Sequence, residues 1–275
     1  MIADLHFHSI YSDGTLTPKE LIEKAHSLGL KYIALTDHDA LLGVEELERE
    51  ALKYDIKVIV GVELTTKFNS ESIHILGYFK SLDDIGFDFK NYLSYMMEKR
   101  ESRLEEMTKN MNKLYGFNID FNDIKVKHPY MLERPHLAEE IMKKTGITDN
   151  KIIFDKYLSE SSPGYVHASK ITPSEGIAMI HMAGGIAVLA HPYCYKKNNP
   201  VDIINLGVDG VEVYYSPSNP KDYHKYVKIC NKKNLLMTGG SDFHKEIDFK
   251  HQDLGTSIIE EKEVLKLIEK LNSLK

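Results

Sequence analysis

Residues 2–39 read IADLHFHSIYSDGTLTPKELIEKAHSLGLKYIALTDHD and predict a strand, a helix and a second strand in succession. The helix is bounded by Thr17 as its cap, by Pro18 in its first turn and by Gly29 at its end. Glu20, three residues after the cap, completes a capping box. A strand, a helix and another strand form the unit from which parallel α/β sheets and barrels are built.

The same alternation recurs along much of the chain. Short apolar runs predict further strands at residues 58–60, 73–78, 186–190, 210–213 and 235–238. Amphipathic stretches predict helices at residues 44–52, 173–183 and 222–232. We therefore predict an α/β fold, either an open parallel sheet or a barrel of strands and helices.

The middle of the chain has a different pattern, with little strand signal and several polar, helix-rich segments. These predicted helices cover residues 92–114, 135–144 and 150–158. We therefore predict a helical insertion domain at residues 83–165, within a barrel domain formed by residues 1–82 and 166–275. The alternative is that these are ordinary barrel helices whose neighbouring strands the pattern does not reveal.

Composition narrows the class of protein. Only two cysteines, Cys194 and Cys230, occur among 275 residues, which argues against a disulfide framework or a thiolate zinc cluster. The formal net charge of −6 argues against a surface for long duplex nucleic acid, although metals can neutralise a phosphate locally. The first residues, MIADLHFHSI, lack the features of a signal peptide, and no apolar stretch is long enough for a membrane span. We expect a cytoplasmic protein with no membrane partner and no obligate protein partner.

Histidines and acids are concentrated in short patches, most of them at or just past the carboxyl end of a predicted strand. The patches are DLHFH at 4–8, Asp13, TDHD at 36–39, GVE at 61–63, AHP at 190–192 and GSDFH at 240–244, with His74 inside a strand-like run. The carboxyl ends of the strands are where α/β barrels assemble their sites. Any one patch is weak, because a lone buried histidine is more often a hydrogen-bonded core residue. Their joint occurrence favours a shared site.

Local geometry favours metal binding by these patches. Side chains two residues apart on a strand share a face, so His6 and His8 can enter one cavity, as can Asp242 and His244. Imidazole and carboxylate donors without thiolate suit zinc, manganese or iron. Two metals about 3.5–4 Å apart can bind both the attacking and the leaving oxygen in phosphoryl transfer.

The motifs DLHFHS, TDHD, GVE, AHP and GGSDFH, in this order, resemble those of the PHP family, named for polymerase and histidinol phosphatase. YSDG at 11–14, RPH at 134–136 and AGGIAVLAHP at 183–192 resemble a stand-alone subgroup within it. Members of that subgroup act on phosphorylated nucleotides, including 3′,5′-bisphosphates, and some trim short RNA from the 5′ end. The resemblance implies a distorted seven-stranded barrel with a trinuclear metal site.

The resemblance also implies which residues bind the metals. One metal would be surrounded by His6, His8, Glu63 and Asp242, a second would be held by Asp13, His38 and His244, and Glu63 would bridge to a third completed by His74 and His191. Many relatives are expected to have histidine where Asp13 stands. The added negative charge slightly favours manganese or iron over zinc. We expect two to three divalent ions.

The expected reaction is hydrolysis by a metal-bridging hydroxide that attacks phosphorus. The residues expected to hold this hydroxide through the metals are Asp13, His38, Glu63, Asp242 and His244. Asp4, Asp37 and Asp39 are interpreted as orienting the ligating histidines, with turn and capping roles as an equal alternative.

Cationic groups outside the metal shell are expected to bind the substrate. Arg134 and His136 are the first candidates, because a guanidinium binds phosphate with two parallel hydrogen bonds. Arg100 and Arg103 share one helix face and could bind a second phosphate, although a solvated face explains them nearly as well. Lys170 is a weaker candidate. The histidines left as surface or packing residues, or without a functional interpretation, are His26, His128, His167, His181, His224 and His251.

Three functions remain open on the sequence alone. We favour a phosphoesterase acting on 3′,5′-bisphosphate nucleotides or short 5′-phosphorylated oligonucleotides. A histidinol-phosphate phosphatase is the alternative, and it would need a carboxylate pocket for the amine that the sequence does not reveal. The third possibility is a non-catalytic metal-binding structural module, which is disfavoured because none of the expected ligand positions is empty.

Overall fold

The computed structural model describes residues 3–168, 170–215, 220–246, 251–256 and 259–274. The chain divides into two compact units. The first, called here the sheet unit, comprises Met1–Tyr92 and Lys170–Lys275, and the second, called the insertion unit, comprises Leu93–Ser169. The two units have different secondary structure, because all the strands of the described chain lie in the sheet unit.

The strands of the sheet unit form two sheets. In chain order they are β1 (Ala3–Phe7), β2 (Tyr32–Leu35), β3 (Lys57–Val58), β4 (Val60–Phe68), β5 (Glu71–Phe79), β6 (Ile186–Leu189), β7 (Gly210–Tyr215) and β8 (Leu236–Gly240). One sheet has the order β1-β2-β3 and the other the order β4-β5-β6-β7-β8. The predicted α/β class is confirmed. The parallel pairing expected from the alternation holds for β1 to β3 and for β6 to β8, but β5 is antiparallel to both of its neighbours.

The antiparallel hairpin of β4 and β5 has a local cause in its turn. Asn69 and Ser70 connect the strands with φ angles of 43° and 62°, and two-residue hairpin turns with left-handed central residues match the twist of the flanking strands. This turn lacks glycine, so the sequence pattern did not reveal it. As a result β4 extends to Phe68. Glu63 therefore lies inside a strand, whereas the sequence pattern had placed it past the end of one.

Two seams join the sheets next to the histidine patches. At the first, the Asp242 amide donates to the His6 carbonyl and the His8 amide donates to the Phe243 carbonyl, both at 2.8 Å. At the second, an isolated bridge pairs His38 with Glu63. The seams therefore bring together ligand-bearing segments that are far apart in the sequence.

Helices cover the strands and bury two apolar clusters. The helices of the sheet unit that lie wholly within it are α1 (Pro18–Ser27), α2 (Val44–Ala51), α7 (Pro173–Met182), α8 (Pro200–Ile204), α9 (Pro220–Lys233) and α10 (Glu261–Ser273). The predicted capping box of α1 is confirmed, since the Glu20 amide donates to Thr17 Oγ1 at 3.2 Å and the Thr17 amide donates to Glu20 Oε2 at 2.8 Å. Leu21 on α1 and Leu267 on α10 are fully buried, one in each cluster. Such side chains contribute about 1.5–3 kcal/mol each to folding.

The insertion unit is helical and has its own apolar core. Its helices are the greater part of α3 (Phe87–Tyr115), then α4 (Phe121–Lys127), α5 (Arg134–Thr145) and α6 (Asn150–Ile153), followed by one π-helical turn (Phe154–Leu158). The helices predicted at residues 92–114, 135–144 and 150–158 are thus present. Met107, Leu137 and Leu158 are fully buried in one cluster. No helix in the described part of the chain is both long and apolar enough to cross a lipid bilayer.

Candidate metal centre

The centre begins with the two histidines of the first strand. His6 lies in β1 and His8 follows it, and both side chains are fully buried. Their Nε2 atoms are 3.4 Å apart, as expected for residues that share one face of a strand. Two imidazoles this close and fully buried need an acid or a cation between them.

Glu63 provides that acid, and its two carboxylate oxygens face different sets of histidines. Oε2 lies 3.1–3.4 Å from one nitrogen on each of His6, His8 and His38. Oε1 lies 2.8 Å from His74 Nδ1 and 3.0 Å from His191 Nε2. A fully buried carboxylate with imidazoles on both oxygens has the geometry of a bridging ligand.

Asp242 and Asp13 supply the remaining carboxylates. Asp242 Oδ1 is 3.3 Å from the Nε2 atoms of both His6 and His8. Asp13 Oδ1 is 3.2 Å from His244 Nε2. The backbone of Asp242 is left-handed, with φ of 55°, a conformation that costs a non-glycine residue on the order of 1–3 kcal/mol and concentrates at functional sites.

These contacts place all nine predicted ligands in one continuous cluster. The groups whose donor atoms lie within 4.8 Å of one another include His8, Asp13, His38 and His244; His6, His8, Glu63 and Asp242; and His38, Glu63 and His74. His191 joins the cluster through Glu63 Oε1. A further group of Asp242, His244 and His251 adds a histidine that had no functional interpretation.

Burial and close charges shift the pKa values of several groups in the cluster. Burial alone would raise the pKa of Glu63, but the surrounding imidazoles, His74 first among them, hold it well below its ordinary value. Burial alone would lower the pKa of His8, but the neighbouring carboxylates of Asp242 and Glu63 raise it to about 10. Burial does lower the pKa of His38 well below its ordinary value. The metal-free centre therefore holds protonated and neutral imidazoles side by side, and an incoming cation must displace protons.

Unpaired buried atoms indicate that a cation fits here. Asp13 Oδ1, His38 Nδ1 and Glu63 Oε2 are buried, and none of them makes a hydrogen bond with any described residue. A buried polar atom without a partner costs about 1–3 kcal/mol, and these three share one space. Carboxylate and imidazole donors suit divalent manganese, iron or zinc.

Glu212 is a functional residue that the sequence interpretation missed. It is fully buried in β7, where Oε1 lies 2.9 Å from His6 Nδ1 and Oε2 accepts a 2.8 Å hydrogen bond from the His191 amide. A carboxylate on the far nitrogen of a ligating histidine fixes the tautomer and raises its basicity. The available signal was a single acid within the apolar run GVEVYY at 210–215.

The three aspartates expected to orient histidines act mainly on the backbone. Asp4 accepts from the amides of Ser241 and Gly255 at 2.9 and 2.7 Å, which fixes the segment that carries Asp242. Asp39 accepts from the Thr65 amide at 2.7 Å.

Asp37 reaches a ligating histidine through an intermediate residue. It accepts from Ser12 Oγ at 2.5 Å, and that hydroxyl lies 3.3 Å from His8 Nδ1. It also accepts from the Ser9 amide at 2.7 Å. The predicted orienting role is thus indirect for Asp37, while the capping alternative describes Asp4 and Asp39.

The arginines predicted to bind phosphate lie together in the insertion unit. Arg134 Nη1 donates to the Leu158 carbonyl at 3.1 Å, and Arg103 Nε donates to the Val166 carbonyl at 2.7 Å. Both guanidiniums lie over the Tyr165 ring, at 5.9 and 5.1 Å from its centre. Burial, followed by the neighbouring Arg134 and Arg100, lowers the pKa of Arg103. These cations share one site.

Arg100 and His136 are held by one glutamate. Arg100 Nη1 is 2.7 Å from Glu133 Oε1, and its side chain is only 16% exposed, so the solvated-face alternative is wrong for this residue. His136 Nδ1 accepts from the Glu133 amide at the start of α5. His136 also stacks on His128, with ring centres 3.8 Å apart. The sequence alone gave no indication of this stacking.

The remaining predicted residues lie in the sheet unit or on its surface. Lys170 Nζ is 3.0 Å from Ser72 Oγ. His181 pairs with Asp209 at 2.6 Å. His26 packs on a tyrosine ring and is exposed, as its surface assignment predicted.

Comparisons with known proteins agree with this centre. The PHP domain family model matches residues 4–148. The chain is 31% identical to a 3′,5′-nucleoside bisphosphate phosphatase of Chromobacterium violaceum, over 88% of this chain and 86% of that protein. It is 30% identical to a 5′-3′ exoribonuclease of Haemophilus influenzae, over 88% of this chain and 89% of that one.

A solved structure is similar over nearly the whole chain. It is that of a proposed metal-dependent phosphoesterase from Bifidobacterium adolescentis, which superposes with a TM-score of 0.85 and 25% identity. The match covers 98% of this chain and 96% of that one.

Proposed function

The chain belongs to the PHP domain family, and on that premise we propose that it is a metal-dependent phosphoesterase that hydrolyses phosphate esters of nucleotides. Its substrates are 3′,5′-bisphosphate nucleotides or short 5′-phosphorylated oligonucleotides, a proposal supported by one relative named as a 3′,5′-nucleoside bisphosphate phosphatase and another named as a 5′-3′ exoribonuclease. The observation that carries the proposal is Glu63, whose two buried oxygens face separate histidine sets. A carboxylate so placed suits a centre with more than one metal.

We assign two to three divalent ions to the cluster, manganese or iron before zinc. The ligands assigned to the first are His6, His8, Glu63 and Asp242, to the second Asp13, His38 and His244, and to the third Glu63, His74 and His191. When bound, such ions lower the pKa of a water and neutralise charge on phosphate oxygens. The protein holds these ligands close together in its interior. Glu212 orients the His6 ring and Ser12 orients the His8 ring through hydrogen bonds to their Nδ1 atoms.

The arginines of the insertion unit are assigned to the substrate. Arg134 and Arg103 lie over the Tyr165 ring with Arg100 as a neighbouring cation, and guanidinium groups bind phosphate through charge-assisted hydrogen bonds. A nucleotide with two phosphates needs one cationic site besides the metals. A compound with a single phosphate and an amine does not. His136, whose Nδ1 accepts from the Glu133 amide, is assigned to the same phosphate.

For the fold, we propose that the strands form a distorted seven-stranded barrel. β3 and β4 are separated by one residue and count as one strand in it. The seams at Phe7 with Phe243 and at His38 with Glu63 support closure of the two sheets on each other.

The test is phosphate release with added manganese, measured side by side on adenosine 3′,5′-bisphosphate, a short 5′-phosphorylated RNA and histidinol phosphate. Preference for the first two is expected, and their ratio separates phosphatase from exonuclease. Preference for histidinol phosphate would leave the metal centre in place and overturn the nucleotide assignment. No release from any of the three would overturn the function itself.

A further inference from the structure

Two of the candidate ligands, His6 and His74, have charged groups of different sign beyond the ring nitrogen that points away from Glu63. The group is an acid for His6 and a lysine for His74. Each histidine turns one ring nitrogen toward Glu63 and the other toward a residue outside the cluster. The group on that outer nitrogen changes how strongly the inner nitrogen binds a metal.

Behind His6 stands a carboxylate. Glu212 Oε1 is 2.9 Å from His6 Nδ1, and both side chains are completely buried. The Nδ1 proton is donated to this oxygen, so Nε2 is the ring nitrogen that faces Glu63 and Asp242 and would bind a metal. A buried negative charge behind the ring makes that nitrogen a stronger ligand.

Behind His74 stands a cation. His74 Nδ1 faces Glu63, and its Nε2 is 3.2 Å from Ser72 Oγ, which is 3.0 Å from the ammonium of Lys170. Ser72 Oγ accepts from the Lys170 ammonium, so the charged group beyond the outer nitrogen of this imidazole is a cation rather than a carboxylate.

The two histidines also differ in burial. The side chain of His6 is completely buried, whereas that of His74 is 21% exposed. A nearby positive charge weakens the binding of a further cation at this position.

We propose that, of the metal positions in the centre, the one at His74 has the lowest affinity for a divalent ion. The reason is that Ser72 and Lys170 lie beyond the outer ring nitrogen of His74, whereas the Glu212 carboxylate lies beyond that of His6. This inference rests on the proposed metal-dependent function. It makes Lys170 and Glu212 positioning residues that act through ligands and sets the order in which the centre fills. The free metal concentration would then control turnover through the His74 position.

The experiment is equilibrium dialysis of the metal-free full chain against graded free Mn²⁺, with bound metal counted by mass spectrometry. Wild type should fill its last position at a higher Mn²⁺ concentration than the others, and His74→Ala should remove that last step. Lys170→Met should tighten the last step roughly threefold to tenfold, because one positive charge is removed. Glu212→Gln should weaken the first step by about 10- to 100-fold.

Lys233→Met is the matched control, because it removes the same charge from an exposed position on α9 and should change no step. Circular dichroism of each metal-free variant separates loss of folding from loss of a metal. An unchanged last step in Lys170→Met, or loss of a tight step in His74→Ala, would overturn the proposal. Failure of wild type to bind any Mn²⁺ would instead overturn the metal-dependent function on which it rests.

Discussion

The metal centre of the sheet unit and the arginine site of the insertion unit are both clusters of buried charge, but their charges are compensated differently. In the metal centre, three buried atoms on Asp13, His38 and Glu63 make no hydrogen bond with any described residue. In the arginine site, Arg134 already donates to a carbonyl and Arg100 already pairs with Glu133. One cluster is incomplete without an added cation, whereas the other is complete without a ligand.

This difference predicts how each site should respond to the loss of one of its side chains. A centre whose charges depend on one another and on an ion should fail as a whole when a ligand is lost, because the remaining charges stay buried. A site whose cations have their own partners should respond in steps, one interaction at a time. The predictions below test this contrast from its largest expected effect to its smallest.

Loss of one ligand should abolish turnover. His8→Ala and Asp242→Ala each remove a side chain that contacts Glu63 or His6 within the cluster. We expect phosphate release to fall on the order of 10³-fold or more, together with loss of bound metal, while the fold is retained. His26→Ala removes an exposed histidine of α1 and should change neither quantity. Full turnover in either ligand variant would contradict the metal assignment.

Metal binding should strengthen as pH rises. Burial alone would lower the pKa of His8 and of His191, but hydrogen bonds with acids of the cluster, and with Cys194 in the case of His191, raise both to about 10. These rings are therefore protonated at neutral pH without metal, and each proton displaced makes the affinity about tenfold higher per pH unit. Dialysis against Mn²⁺ at pH 6.5, 7.5 and 8.5 measures the slope.

The metal-free protein should show the opposite trend. A raised folded pKa contributes stability below the unfolded value near 6.5, and this stability is lost as pH rises toward about 10. Thermal unfolding of the metal-free chain should therefore show lower stability at pH 9 than at pH 6.

An affinity for Mn²⁺ that does not change with pH in the dialysis experiment would mean that these rings are neutral before the metal binds.

Loss of one arginine should give a graded effect on substrate binding. Arg134→Ala removes a charged donor to phosphate, and we expect KM for adenosine 3′,5′-bisphosphate to rise about tenfold to a hundredfold. Bound metal should be unchanged, since the arginine has partners within its own unit. Arg49→Ala is the control, because that side chain is 64% exposed on α2. Unaltered KM in Arg134→Ala would return this arginine to a structural role.

The sequence predicted the metal centre better than its surroundings, and the reason is chemical. Histidine and acid patches at strand ends are visible because few other functions need them in that spacing. His6 and His8 follow from the two-residue period of a strand alone. Glu212 has no such marker, since one acid in an apolar strand gains its meaning only from the seam that brings it to His6.

The hairpin of β4 and β5 shows a second limit. The turn at Asn69 and Ser70 depends on left-handed backbone angles that asparagine and serine adopt without the usual glycine signal. Without the turn, the strand appeared to end at residue 60 and Glu63 appeared to lie past it. Glu63 lies in the predicted cluster, but its position in the strand differs from the prediction.

The smallest effect should come from an exposed ion pair of the insertion unit. Glu139 contacts Lys127 and lies 3.8 Å from His128 Nε2, and these neighbours lower its pKa to about 2. A depressed carboxyl contributes stability above its unfolded pKa near 4.5, and that stability is lost as pH falls through about 2. Because its side chain is 45% exposed, solvent screens the pair, and Glu139→Gln should cost less than about 1 kcal/mol at pH 7.

Chemical unfolding at pH 7 and at pH 3 measures this change, and the difference between wild type and Glu139→Gln should shrink at the lower pH. Glu105→Gln, which removes a similarly exposed partner of Lys109 on α3, is the matched control and should cost a comparable amount. A cost several times larger for Glu139 would mean that the insertion unit depends on a coupled charge network. The contrast between a metal centre that needs an ion and an insertion unit whose charges are compensated within it would then no longer hold.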